Sequence, residues 1–360
     1  MAGTSLDGLD AVAVHFEPEL EVLGHAHSAF DETLREALRG LAEGTLAGEV
    51  ERLGDLDVRI GDESARLVGA LLKTLSLDAD DVAAIGSHGV TVRHRPQRGF
   101  SLQIGDPNRI AAGAGIAVVS DFRRADMACG GQGAPLASTL HAALWQREDA
   151  HTGVLNLGGF GNLSFIPARA GGPPPLASDT GPANTLLDLW HRRFRGGGFD
   201  PEGQWARSGR LIEPLLRKLL EHDYFARSAP KSTGREDFNL DWLEAHLSGS
   251  ERPEDVQRTL LQLTVEGVMH LTRLLEASCG RIIVCGGGAH NRFLMETLAE
   301  RINTPLISSA EVGLPVDQVE AAAFAYLAHL RLKGVSGVYS DTTGARRPAV
   351  LGGVWLPPGA

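Results

Sequence analysis

Residues 153–167 read GVLNLGGFGNLSFIP, two short apolar runs on either side of a glycine-rich turn. Apolar runs of strand length around such a turn predict a β-hairpin. A similar turn, GTSLDG, occupies residues 3–8 and precedes the strand-like run AVAVHF at 11–16. Two glycine turns beside strands indicate two halves built on one plan. Because strands alternate with amphipathic helices elsewhere, we predict an α/β fold.

Length and charge limit the class of protein. A chain of 360 residues favours two domains, and a net charge of −11 argues against nucleic acid or a membrane surface as partner. The three cysteines form no C-x-x-C pair, which is typical of a reducing cytosol. No secretion signal or apolar run of membrane-spanning length is present, so we expect a cytoplasmic protein.

Apolar spacing predicts the main elements of secondary structure. Helices are expected at 31–44, 55–75, 183–194, 253–280 and 317–334, and strands near 82–92, 116–122 and 281–285. The helix at 253–280 has a continuous apolar stripe. It could therefore lie in a core or at a subunit interface.

The segment SDTGPANTLLDLW at 178–190 places a carboxylate before a Gly-Pro turn and a helix. A carboxylate beside a helix N-terminus stays ionised, because the helix dipole favours its negative form, and can act as a general base. Asp179 is therefore a candidate base, and Asn184 a candidate helix cap. The spacing alone slightly favours the alternative, in which Asp179 is itself a capping or turn residue.

Other motifs leave two interpretations open. The triple glycine in RIIVCGGGAHN (281–291) suits a nucleotide or a tight packing turn, and it matches neither the P-loop nor the dinucleotide fingerprint. The segment PKSTGRED (230–237) could contact phosphate or be plain surface. Basic residues at 86–96 and 120–135 lie near predicted strand ends, where arginines could hold a carboxylate or phosphate. Glu320 suggests a metal ligand, although its spacing from Asp317 favours a capping box.

Together these segments resemble the anhydro-N-acetylmuramic acid kinase family. The motifs are MAGTSLDGLD, GSHGVTVRH, LQIGDPNRIA, VVSDFRRADMACGGQGAP, LNLGGFGNLS, SDTGPANTLLDLW, PKSTGRE, VCGGGAHN and TGA, and they span nearly the whole chain. The resemblance implies the two-domain, ribonuclease H-like fold of actin, sugar kinases and heat-shock ATPases, with ATP in a cleft between the halves. We expect domain I at 1–127 plus 336–360 and domain II at 128–335.

The resemblance also implies a reaction. The family opens 1,6-anhydro-N-acetylmuramic acid with water and phosphorylates O6 with ATP, giving N-acetylmuramic acid 6-phosphate and ADP in cell-wall recycling. Asp179 matches the catalytic aspartate, which would deprotonate the attacking water. Mg²⁺ is expected, because phosphoryl transfer depends on charge neutralisation. A homodimer is expected from the family.

The implied site residues fall into three groups. ATP would contact Gly3, Thr4, Ser5, Leu6, Asp7, Gly8, Leu9, Asp10, Gly158, Gly159, Asn162, Gly286, Gly287 and Gly288. The Mg²⁺ candidates are Asp7, Asp10 and Glu320. We assign His88, Arg93, Asp121 and Arg123 to the sugar and its lactyl carboxylate as a hypothesis.

The chain departs from the family pattern in a few places. Ala2 stands where serine is usual, Gly161 where alanine is usual and Val90 where glutamine is usual. Family members also have a short strand before the position of Met1. Its absence from the numbered chain would leave the first hairpin half-formed, or would mean that the start codon was chosen too late. Two alternative functions follow, another phosphotransferase of this fold and a non-catalytic ATP-binding protein.

Overall fold

The structure is a computed structural model that describes residues 1–3, 6–171, 176–275, 279–338 and 340–359. The chain separates into two compact units, residues 1–144 with 320–360, and residues 145–319. The domain boundaries expected after residues 127 and 335 stay a prediction. In the described ranges, no helix combines the length and apolar character needed to cross a bilayer.

The second unit is built on one five-stranded sheet. Its elements are β7 (His151–Leu157), β8 (Phe160–Ile166), β9 (Leu176–Pro182), α6 (Asn184–Arg195), α7 (Gln204–Ser208), α8 (Glu213–Leu220), α9 (Asp223–Ala226), α10 (Leu240–Glu244), α11 (Pro253–Leu275), β10 (Cys279–Cys285), α12 (Arg292–Ala299) and β11 (Leu306–Ser308). The strand order is β11-β10-β7-β8-β9, and β8 alone runs antiparallel to the others. If the five strands are numbered 1 to 5 in chain order and read from β9, their order is 3-2-1-4-5, which is the topology of a ribonuclease H-like domain. The predicted α/β class is therefore confirmed.

The hairpin predicted at 153–167 is confirmed as β7 and β8. Its register sets Asn156 opposite Asn162, next to the glycine turn. The long helix α11 lies in the core of this unit, where Val256, Leu261 and Val268 are fully buried. Burial of these residues resolves the two interpretations of this helix in favour of a core helix.

In the part of the first unit that the structure describes, the strands form three smaller sheets. Its elements are β1 (Gly8–His15), β2 (Glu21–Ala29), α1 (Glu32–Glu43), α2 (Glu49–Leu75), β3 (Ile85–Gly86), β4 (Val90–Arg95), β5 (Phe100–Ile104), α3 (Pro107–Ala114), β6 (Val118–Ser120), α4 (Phe122–Ala128), α5 (Ser138–Trp145), α13 (Val319–Leu332), α14 (Ser340–Thr343) and β12 (Gly353–Trp355). The sheets are β1-β2, β12-β6-β3 and β4-β5. Leu34, Leu38 and Ile60 of α1 and α2 form a core with Leu9 and its neighbours.

Some predictions for this unit were wrong in extent. Helix α2 begins at Glu49 rather than 55, and its acidic first turn suits the helix dipole. The segment 82–92, expected to be a strand running into a loop, has only the two-residue strand β3 before the loop. In that loop Gly89 has φ 72°, and a Cβ there would lie 2.2 Å from the carbonyl oxygen of Ile104. The turn at 3–8 is bracketed by paired backbone groups: Met1 and Asp10 exchange N–H···O bonds of 2.6 and 2.8 Å.

Candidate active site

Asp179 lies inside strand β9, not in a turn before a helix. It pairs with Asn162 across the sheet, and its backbone N–H donates to the carbonyl of Lys231 at 2.9 Å. The capping and turn interpretation of Asp179 is therefore wrong. The expected cap is wrong as well: Asn184 is the first residue of α6, and its side chain donates to the carbonyl of Leu157 at 2.9 Å.

The carboxylate of Asp179 is held at both oxygens. The side-chain amide of Asn162 donates to Oδ1 at 3.1 Å, and the backbone N–H of Thr233 donates to Oδ2 at 3.0 Å. Burial raises the pKa of Asp179 to about 6, although both hydrogen bonds oppose that shift. The expected stabilisation of the charge by a helix dipole is thus outweighed by desolvation. At neutral pH the group is still ionised, and it is a stronger base than an ordinary aspartate.

A second set of residues supports this carboxylate from the segment 230–237. The hydroxyl of Thr233 donates to Asp237 at 2.8 Å, which fixes the residue whose N–H binds Asp179. Tyr224 donates its hydroxyl to the carbonyl of Asp179, and Lys231 Nζ lies 4.4 Å from the ring centre of Tyr224. Sequence reasoning had left this segment open between phosphate and plain surface. It contacts the candidate base through Lys231 and Thr233, and Lys231 also bonds to Ser178 and Tyr224.

The glycine turn between β7 and β8 is bonded to the start of α6. The carbonyl of Gly159 accepts from the N–H groups of Ala183 and Thr185 at 3.0 and 2.9 Å, and that of Gly158 accepts from Asn184 at 3.1 Å. These bonds satisfy donors that a helix N-terminus otherwise leaves open. Backbone hydrogen bonds therefore fix the position of the glycine turn relative to the start of α6, beside β9.

The triple glycine divides into packing positions and one open position. A Cβ at Gly286, which has φ 81°, would lie 2.3 Å from Asn156 Oδ1, and one at Gly288 would lie 2.6 Å from Leu157 Cβ. Around a Cβ at Gly287 there is no other atom within 4 Å. Gly286 and Gly288 thus serve close packing against the end of β7. Gly287 is the member with room for a ligand.

The predicted residues at the start of the chain lie along β1 and the turn before it. Asp7 is exposed, Leu6 is buried with φ 55°, and Thr4 and Ser5 lie outside the described residues. Gly8 approaches β2 closely, since a Cβ there would lie 2.4 Å from the carbonyl oxygen of Ser28. Asp10 accepts hydrogen bonds from two histidine side chains of β2.

Two of the three Mg²⁺ candidates, Asp10 and Glu320, interact with each other. Among the described residues, no group of three or more His, Cys, Asp or Glu side chains is arranged to hold a metal ion. Glu320, in the first turn of α13, has a raised pKa through burial, which Arg123 opposes and the charge of Asp10 reinforces. Asp10 and Glu320 are therefore close enough to interact electrostatically. Two carboxylates fit Mg²⁺, which takes one or two protein ligands and completes its shell with phosphate and water.

Of the four residues assigned to the sugar, the structure brings two together. His88 Nε2 accepts from Arg123 Nε and Nη2 at 3.1 and 2.8 Å, and Arg123 also donates to the carbonyl of Gly133 at 2.7 Å. Burial, reinforced by the charge of Arg123, holds the pKa of His88 well below its ordinary value. His88 is therefore a neutral hydrogen-bond acceptor here.

The other two residues have different partners. Arg93 donates to the carbonyls of Leu41 and Ala42 at the end of α1, and it pairs with Glu49. Asp121 accepts from Arg124 Nε at 2.7 Å. Both side chains are thus engaged away from the His88–Arg123 pair.

Comparison with known proteins decides the family. The family model described as Anhydro-N-acetylmuramic acid kinase matches residues 1–357. The chain belongs to that family. Its curated relatives include the anhydro-N-acetylmuramic acid kinases of Aliivibrio fischeri, 43% identical over 99% of this chain and 97% of that protein, and of Xanthomonas oryzae pv. oryzae, 44% identical over 99% and 96%.

Membership assigns the activity in outline. The chain is an anhydro-N-acetylmuramic acid kinase, a phosphotransferase that acts on a small anhydro sugar. Solved structures similar to the chain include the activator of 2-hydroxyisocaproyl-CoA dehydratase from Clostridium difficile, at 13% identity and TM-score 0.42 over 89% of this chain and 91% of that one. Another is xylulose kinase from Rhodospirillum rubrum, at 15% identity and TM-score 0.34 over 72% and 53%.

Proposed function

We propose that the chain hydrolyses the 1,6-anhydro bridge of N-acetylmuramic acid and phosphorylates the freed O6 with ATP. The observation that carries this proposal is the carboxylate of Asp179, fixed at both oxygens and with a pKa of about 6. A base of this kind suits a reaction that begins by deprotonating water. The product, N-acetylmuramic acid 6-phosphate, is an intermediate in cell-wall recycling.

The proposed reaction joins two events, the hydrolysis of the anhydro bridge and the transfer of a phosphoryl group to O6. Asp179 takes a proton from water, and the water oxygen bonds to the anomeric carbon. The bond from that carbon to O6 breaks, and its electron pair stays on O6. The O6 oxygen then bonds to the γ-phosphorus of ATP, the bond from that phosphorus to ADP breaks with its electron pair leaving on ADP, and the proton on Asp179 passes to solvent. Asn162 and Thr233 keep the carboxylate oriented towards the water.

The ATP and Mg²⁺ assignments are part of the same proposal. ATP contacts the glycine segments, and Gly287 is the triple-glycine position that leaves room for it. Asp10 and Glu320 would hold Mg²⁺, which neutralises phosphate charge during the transfer. We further propose a homodimer and a cytoplasmic location. Light scattering of the purified chain tests the first, and cell fractionation tests the second.

The test of the function is ADP release from ATP with and without 1,6-anhydro-N-acetylmuramic acid, with the product identified by mass spectrometry. We expect ADP release that depends on the sugar. We also expect a 6-phosphate product that carries oxygen from ¹⁸O-water at its anomeric carbon. A phosphorylated product that retains the anhydro bridge would contradict the hydrolytic step.

The pH profile should report Asp179. We expect kcat/KM for the anhydro sugar to be flat above a pH of about 6 and to fall by roughly tenfold per pH unit below it, since the base acts only when ionised. Initial rates at saturating ATP, in overlapping buffers, measure this profile. A half-point near the ordinary pKa of aspartate, about 4, would contradict the assignment of the base.

Arg123 should affect sugar binding more than ATP binding. An Arg123→Ala variant is expected to raise KM for the sugar by roughly tenfold or more, because a charged hydrogen-bond donor is lost. The matched control is Arg124→Ala, which removes the neighbouring exposed arginine that pairs with Asp121. Steady-state kinetics with each substrate varied in turn give both KM values. An equal rise in the two KM values would refute the role.

A further inference from the structure

The β1–β2 hairpin has one polar face. Asp10 stands directly opposite His27, and His25 stands opposite Val12 two pairs further along. Alternate residues of a strand share a face, so the side chains of residues 10, 25 and 27 project on the same side. On the other side, Leu9 lies in the core of the first unit, and the paired residues Ala11 and Ala26 pack against that core. The hairpin therefore carries a histidine-lined carboxylate on its polar face.

Both histidines bind the same oxygen of Asp10. His27 Nδ1 lies 2.9 Å from Oδ1, and His25 Nε2 lies 3.2 Å from that atom. An ionised carboxylate only accepts hydrogen bonds, so both ring nitrogens act as donors. Neither bond uses Oδ2. The two histidines thus set the orientation of the carboxylate through Oδ1 alone.

His27 also packs against the first residue of β1. A Cβ at Gly8 would lie 2.6 Å from Cε1 and 2.9 Å from Nε2 of His27, so the ring rests on the glycine backbone. One imidazole therefore touches two residues of the segment assigned to ATP, Gly8 by packing and Asp10 by hydrogen bonding. The ring is held between them.

The choice of imidazole has an electrostatic consequence. A neutral imidazole can donate a hydrogen bond, so it fixes a carboxylate without cancelling its negative charge. A lysine or arginine at position 25 or 27 would bring a full positive charge to the same oxygen and would oppose a bound cation. The pair His25 and His27 therefore suits a carboxylate that uses its negative charge to bind a cation.

We propose that His27, assisted by His25, is a positioning residue that holds Asp10 by Oδ1 and presents Oδ2 to the Mg²⁺–triphosphate of ATP. The inference rests on the proposed function, in which Asp10 belongs to the ATP and Mg²⁺ site. It adds residues of β2 to residues 3–10, the first of the segments that the resemblance assigns to ATP. The chemical class recognised is a divalent cation bound to a nucleoside triphosphate.

The test compares two substitutions at one position. In His27→Asn the side-chain amide nitrogen takes roughly the place of Nδ1 and keeps a donor, whereas His27→Leu has no donor. We expect His27→Leu to raise Kd and KM for MgATP by about tenfold and to leave KM for the anhydro sugar within about twofold. His27→Asn should stay within about threefold of the wild type. His15→Leu, an exposed histidine at the end of β1, is the matched control.

Binding of MgATP, and of ATP in the presence of a chelator, is measured by calorimetry alongside kinetics and melting temperature. The loss in His27→Leu should be largest when Mg²⁺ is present. Unchanged MgATP affinity in His27→Leu would overturn the inference, as would equal losses in the Leu and Asn variants with a lowered melting temperature. If the wild type binds no MgATP, the proposed function fails together with this inference. If the wild type binds and turns over MgATP while His27→Leu behaves identically, only this inference fails.

Discussion

Replacing Asp179 by Asn is expected to lower sugar-dependent ADP release by about 100-fold or more. An amide cannot take a proton from water, so the step that opens the anhydro bridge loses its base. KM for ATP should change by less than about threefold, because Asp179 bonds to Asn162 and Thr233 and has no assigned contact with the nucleotide. A coupled ADP assay at saturating sugar measures the effect.

The control for this variant is Asp241→Asn. Asp241 lies exposed in the first turn of α10, so its substitution removes the same charge without touching the base. Activity within about twofold of the wild type is expected for the control. An Asp179→Asn variant that retained more than about a tenth of wild-type turnover would show that another group deprotonates the water.

The Gly286→Ala substitution should destabilise the second unit by about 2 kcal/mol or more. Gly286 has φ 81°, where an alanine is strained, and its Cβ would lie 2.3 Å from Asn156 Oδ1. The end of β7 would have to move away from the triple glycine. Thermal unfolding followed by circular dichroism should show a fall in Tm of about 4–8 °C.

Gly287→Ala is the matched control for that experiment. Open space surrounds a Cβ at Gly287, so Tm should change by no more than about 1–2 °C. If this position faces the nucleotide, the added methyl group will still weaken ATP binding, which calorimetry detects. Equal losses of Tm in the two variants would contradict the division into packing and open glycines.

The sequence predicts secondary structure well where turn residues and apolar spacing give a strong local signal. The hairpin at 153–167 was predictable, because a glycine turn and two apolar strand-length runs coincide there. Helix α11 was predictable from its apolar stripe. In contrast, β3 and β6 contain two and three residues, too short for any periodic signal. Strand β6 pairs with β3 on one side and, on the other, with β12, which lies more than two hundred residues further along the chain. No local pattern reports such pairing.

The sequence indicates Asp179 as the candidate base, but it does not reveal which residues bond to it. The motif around Asp179 suggested a helix dipole, whereas the structure surrounds it with strand partners and burial, and these raise its pKa. Asn162 was grouped with ATP on the basis of family resemblance, which did not indicate that its amide donates to Asp179. Thr233 was missed because it acts through its backbone N–H, which every residue except proline has. A side-chain motif cannot reveal such a bond.

The raised pKa of Asp179 also has a consequence for selection. A carboxyl that holds its proton more tightly in the folded chain opposes folding once it is ionised, and this penalty is absent below a pH of about 4 and complete above about 6. A rise from 3.8 to about 6 corresponds to on the order of 1–3 kcal/mol. Selection for heat resistance at neutral pH, without selection for turnover, would therefore favour uncharged residues at this position. A library screened for survival alone would drift towards well-folded proteins that have lost their chemistry.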